Sequence, residues 1–165
     1  MIKITITGRP TGRKALLYEL VGQKGQKRFV PTYHAFAECL KTGRHYPFSV
    51  VRHSSPAVFG GRLVNRYGKE GECPPSKKAY TGRVREDGPK GFRIQLSEVG
   101  QEDTGILFGQ GSVERKCIQI HLGEAASHGC MLVAGRRQWY RAVFANRMRS
   151  LLKGSRELKV VVEPR

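Results

Sequence analysis

Apolar and polar residues alternate along IKITIT (2–7), GFRIQLSE (91–98) and RKCIQIHLG (115–123). A period of two places one kind of side chain on each face of a strand. In the third stretch Ile118, Ile120 and Leu122 face one way, and Cys117, Gln119 and His121 face the other. A further strand is expected around Phe48–Arg52, and ELKVVVEP (157–164) predicts a closing one. The chain's 20 glycines punctuate these short runs as turns would.

Other segments are read less directly. GRPTGRK (8–14) is expected to turn, ALLYELV (15–21) to form a strand or a short helix, and QKGQKR (23–28) to form a hairpin tip. The spacing of Tyr33, Phe36 and Leu40 in YHAFAECL predicts one or two helical turns. Residues 60–91, rich in Gly, Pro and charge, are expected to be long loops around one or two weak strands. Over 137–152 the stripe Trp139, Val143, Phe144, Met148, Leu151 and Leu152, with arginines opposite, predicts an amphipathic helix stopped near Gly154. Trp139 is expected in the core and Tyr140 on the helix surface. No good N-cap residue precedes this helix. The expected fold is therefore mainly β with one C-terminal amphipathic helix, in a single domain spanning residues 1–165.

Thirty basic residues stand against 13 acidic ones, a formal charge of +17. Such a field attracts polyanions, either nucleic acid or an anionic cell envelope. The basic residues are scattered from Lys3 to Arg165, which also fits a solvated basic surface. No apolar run approaches the ~20 residues that span a bilayer. The start, MIKITITGRPTGRK, lacks the apolar stretch of a secretion signal, so no membrane span and no recognisable signal peptide are expected.

The segment richest in chemistry is IQIHLGEAASHGCMLVAG (118–135). A strand delivers His121, a short loop follows, and Ser127-His128-Gly129-Cys130 comes next. A thiol becomes a nucleophile when it loses its proton, and an imidazole within reach can take it. Gly129 allows a tight turn, and the amides of Gly129 and Cys130 can face a developing oxyanion. Three other readings compete. Cys130 can be a small core residue, as the following Met-Leu-Val suggests. His128 can serve as the base in place of His121. Zinc can be held by His121, His128 and Cys130. Cys117 cannot join His121 on one ion, because four residues of regular strand separate them by about 13 Å. The four cysteines, Cys39, Cys73, Cys117 and Cys130, show no CxxC pair; a single disulfide among Cys39, Cys73 and Cys117 is compatible with the spacing.

His121 on an alternating strand, followed by Ser127-His128-Gly129-Cys130, resembles the L,D-transpeptidase family of the YkuD type. The resemblance implies a β-sandwich or barrel-like enzyme that uses no cofactor and acts on peptidoglycan stem peptides. It makes Cys130 the nucleophile, His121 the general base and the Leu122 carbonyl the group that orients the imidazole. Ser127, His128 and Gly129 would shape the pocket and oxyanion hole. The acyl group on Cys130 would pass to an amine, giving exchange or a crosslink, or to water, giving carboxypeptidase or endopeptidase activity. Two features depart from the family pattern: only six residues separate His121 from His128, and Leu132 stands where the family carries an arginine. Arg136 or Arg137 is the candidate replacement for substrate binding. An enzyme of this kind works in the envelope or periplasm, or is delivered into a target cell as an interbacterial toxin or phage-associated product. A toxin would need an immunity partner, and an acidic one would complement the charge. The alternative is a basic module that binds nucleic acid or an anionic polymer, with Cys130 structural.

Overall fold

The computed structural model describes residues 1–20, 23–52, 57–59, 62–64, 78–89, 91–108, 114–116, 118–122 and 130–165, with 17–20, 23–28, 57–59, 62–64, 78, 107–108 and 114–116 described as backbone only. The strands are β1 (Ile2–Leu20), β2 (Gln23–Cys39), β3 (His45–Val51), β4 (Ala57–Phe59), β5 (Arg62–Val64) and β6 (Lys78–Arg85). They continue with β7 (Arg93–Ser97), β8 (Ile106–Phe108), β9 (Glu114–Lys116), β10 (Gln119–Leu122), β11 (Met131–Val133) and β12 (Glu157–Val162). Eight of them close into a barrel in the order β1-β12-β6-β7-β10-β11-β3-β2, while β4-β5 and β8-β9 form small separate sheets. Neighbours in the barrel are antiparallel except for β1 with β12 and β10 with β11, which run parallel.

The alternation read from the sequence sets what fills this barrel. Ile2, Ile4 and Ile6 of β1, Ile94 and Leu96 of β7, Ile120 of β10, and Val160 and Val162 of β12 share one core. An eight-stranded barrel is just wide enough for such side chains to fill it. The fit leaves no slack at Gly82 on β6. A Cβ there would lie 2.9 Å from Ile94 Cγ2 and 3.0 Å from both Leu158 Cδ1 and Val160 Cγ2. Gly82→Val should therefore overpack the barrel and destabilise it by about 1–3 kcal/mol, read as a lower midpoint in urea unfolding; an unchanged midpoint would mean that the core yields there.

Residues 137–152 form one helix, α1, built from Arg137–Trp139, a π-helical stretch Tyr140–Phe144, and Ala145–Leu152. No side chain caps its start, and Lys153 ends it in a left-handed conformation (φ 48°) just before Gly154. Phe144, Met148, Leu151 and Leu152 join the barrel core. Tyr140 is not on the helix surface, whereas Trp139 packs against the core as expected. Tyr140 is buried and Trp139 half-buried. Arg141 lies seven residues before Met148, so an unbroken α-helix would turn it toward the core. The wider π turn unwinds this half of α1; Tyr140 swings inward and Arg141 reaches solvent. The Tyr140 hydroxyl donates to the Phe92 carbonyl at 2.6 Å, and burial pushes the phenol's pKa up, so it stays a donor.

Several local expectations are corrected. GRPTGRK and residues 15–20 continue β1 rather than turning or coiling; the register slips between Ile6 and Pro10 and again before Lys14, as β-bulges do. QKGQKR is strand, and Leu20 already pairs with Gln23; residues 21–22 lie outside the described residues. YHAFAECL is not helical. Its buried residues are Tyr33, Ala35 and Ala37, a period of two, and its backbone is paired to β1 on one side and β3 on the other. Within 60–91, β6 is a full barrel strand between β12 and β7. RKCIQIHLG divides between β9 in a small sheet and β10 in the barrel. Among the described residues no helix is long and apolar enough to cross a membrane.

Candidate active site

β10 and β11 are adjacent and parallel, paired Ile120 with Met131, His121 with Leu132 and Leu122 with Val133. Parallel neighbours usually need a crossover of a dozen or more residues; here residues 123–130 make the connection. Ile120, Met131 and Val133 point into the barrel core. Alternation therefore turns Leu132 and His121 to the outside of the barrel wall. Cys130, one residue before β11, lies on the same side as Leu132. It is half-buried and packs against an outer cluster of Val30, Val51 and Leu132. The thiol is thus outside the barrel interior, on the face that carries His121. The register places the two residues diagonally across neighbouring strands, about 7–8 Å apart at Cα, a gap that an imidazole and a thiol can bridge.

His121 Nδ1 lies 2.9 Å from the carbonyl oxygen of Leu122. A carbonyl only accepts, so in the neutral ring Nδ1 carries the proton and Nε2 is the basic nitrogen. The contact fixes both the tautomer and the tilt of the ring. Arg136 is exposed at the N-cap of α1, past the end of β11 remote from Cys130. Ser127, His128 and Gly129 lie outside the described residues. So do Cys117 and Cys73, and with them the zinc and disulfide alternatives. Among the described residues no group of three His, Cys, Asp or Glu could hold a metal ion.

Two residues near the thiol escaped sequence reasoning. Gln119 continues the register one step, opposite Cys130 and on the His121 face. It is 5% exposed, and its Oε1 has no hydrogen-bond partner among the described residues. A buried acceptor left so costs about 1–3 kcal/mol. Arg52 follows β3 at the level of Met131. It is 3% exposed, donates from Nη1 to the Thr7 carbonyl at 3.0 Å and lies 5.5 Å over the Tyr33 ring. A guanidinium keeps its charge when buried. The signal was present in both cases: Gln119 alternates with Ile118 and Ile120, and Phe48, Val50 and Arg52 share one phase of their strand.

A second thiol stands elsewhere. Cys39 is half-buried at the end of β2, and its pKa is lowered to about 7, chiefly by a hydrogen bond from the Thr42 side chain and then by the Thr42 backbone. Any measurement of thiol reactivity must therefore resolve Cys39 from Cys130. No protein-family model, no curated protein and no solved structure matches the chain.

Proposed function

We propose that the chain is a cysteine-dependent, L,D-transpeptidase-like enzyme acting on peptidoglycan stem peptides. The observation that carries this reading is the placement of His121 on β10 and of Cys130, one residue before the neighbouring β11, on one outer face of the barrel, with the His121 ring held through Nδ1. Nε2 takes the Cys130 proton as sulfur attacks a stem-peptide carbonyl. The tetrahedral oxyanion is met by the backbone amides of Gly129 and Cys130. When the C–N bond breaks, the proton held on His121 goes to the leaving amine. An acyl-enzyme remains on Cys130. An incoming amine then gives exchange or a crosslink; water gives hydrolysis; either surrenders a proton to His121, and the thiol is regenerated. Ser127, His128 and Arg136 are the proposed substrate contacts, and no step requires a cofactor. The setting is the cell envelope, reached by export or by delivery into a target cell; in the second case an acidic immunity protein is the partner that suits a charge of +17.

The test is incubation with purified muropeptides followed by mass analysis. Loss of the terminal residue, stem cleavage or a new crosslink is expected with the wild-type chain and is abolished in Cys130→Ala. Conversion that persists in that variant, or no conversion of any muropeptide by the folded wild type, removes the reading.

A further inference from the structure

We propose that the solvent side of α1 is a docking surface for the anionic peptidoglycan polymer, separate from the Cys130 site; the choice of polymer rests on the activity proposed for that site. Between Glu124 and Glu157 the chain has no acidic residue, and α1 alone carries Arg137, Arg141, Arg147 and Arg149. A helix face that is merely solvated gains by mixing signs at i, i+4; like charges at that spacing cost stability. Here Arg137 precedes Arg141, and Arg149 precedes Lys153, each by four residues. The π turn adds to the patch by rotating Arg141 outward.

Two of these arginines are held in place by aromatic rings on either flank of the helix. Arg147 Cζ lies 4.6 Å from the centre of the Tyr46 ring, and Arg149 Cζ lies 5.2 Å from that of Phe92. A guanidinium stacked in this way keeps its N–H edge outward and loses less freedom when it meets a carboxylate. Glu86 answers Arg149. Arg141 and Arg147 have no carboxylate partner among the described residues. The exposed line between the flanks holds only Ala142, Asn146 and Ser150, so an extended chain can lie along it. A glycan strand bearing stem peptides repeats its carboxylates along its length, and a fixed row of cations engages several at once. Docking there holds the enzyme on an insoluble substrate while Cys130 works on single stems.

The experiment is co-sedimentation with isolated sacculi, in a Cys130→Ala background so that nothing is cut. Arg141→Gln/Arg147→Gln should lower the bound fraction's affinity about tenfold, and the wild-type interaction should weaken as salt rises. Ala142→Glu/Ser150→Glu removes no packing and should do the same. Both sets of changes, made with Cys130 intact, should leave conversion of small soluble muropeptides unaltered. Wild-type binding by both charge variants overturns the docking surface. So does a loss of affinity for duplex DNA without any loss for sacculi, which would make nucleic acid the occupant. If helix-dependent binding to sacculi is found but no muropeptide is converted, the docking surface stands and the proposed activity falls.

Discussion

His121→Ala should slow muropeptide conversion about 10²–10⁴-fold, the range over which a positioned general base contributes. The variant should remain folded, because the imidazole is half-buried on the outer wall and its one described hydrogen bond is to a neighbouring carbonyl. The thiol reports the same role without substrate. In the wild type Cys130 should alkylate readily at neutral pH, since Nε2 draws off its proton. Cys39 should react as well, because its thiolate is stabilised by Thr42 and not by a histidine. His121→Ala should therefore slow Cys130 and leave Cys39 at its former rate, resolved by peptide mass mapping. Equal slowing of both thiols, or an unaltered rate of conversion, would show that His121 is not the base.

What the sequence disclosed, and what it hid, follows the range of the forces involved. Strands with Ile, Val or Leu at every second position, such as IKITIT and ELKVVVEP, were legible because the local period states which face is buried. Residues 33–40 were not. The inward positions after Tyr33 are Ala35 and Ala37, small enough that the larger Phe36 and Leu40 suggested a helical spacing. Closure of the barrel depends on β1 pairing with β12, more than a hundred residues away along the chain, and no local pattern encodes such a contact. The bulges that carry β1 through GRPTGRK use the Pro and Gly that ordinarily mark a turn. At the candidate site, His121 and Cys130 could be drawn as candidates from residue types and spacing. The parallel register that sets their spacing could not, nor could the burial of Gln119 and Arg52, which depends on neighbours from other strands.

Phe144→Ala should be among the most damaging single substitutions in the chain. Phe144 is fully buried, and five aromatic rings surround it: Phe48 at 5.0 Å, Tyr140 at 5.1 Å, and Tyr46, Phe92 and Trp139 at 6.3 Å between centroids. These rings come from β3, from the residue before β7 and from α1 itself, so the side chain ties the helix to the barrel. Truncation removes its burial and leaves a cavity that the closed wall cannot collapse to fill, at a cost of about 3–5 kcal/mol. For a domain of this size that is a fall in Tm on the order of 10 °C. The candidate site offers a control on the interpretation. His121 and Cys130 are set by the β10–β11 register on the outer wall, and Phe144 touches neither strand in its aromatic contacts. Below its melting temperature, Phe144→Ala should therefore keep the His121-dependent alkylation of Cys130 while losing global stability. A variant that melts like the wild type would mean that α1 detaches on its own and that the barrel is stable without it.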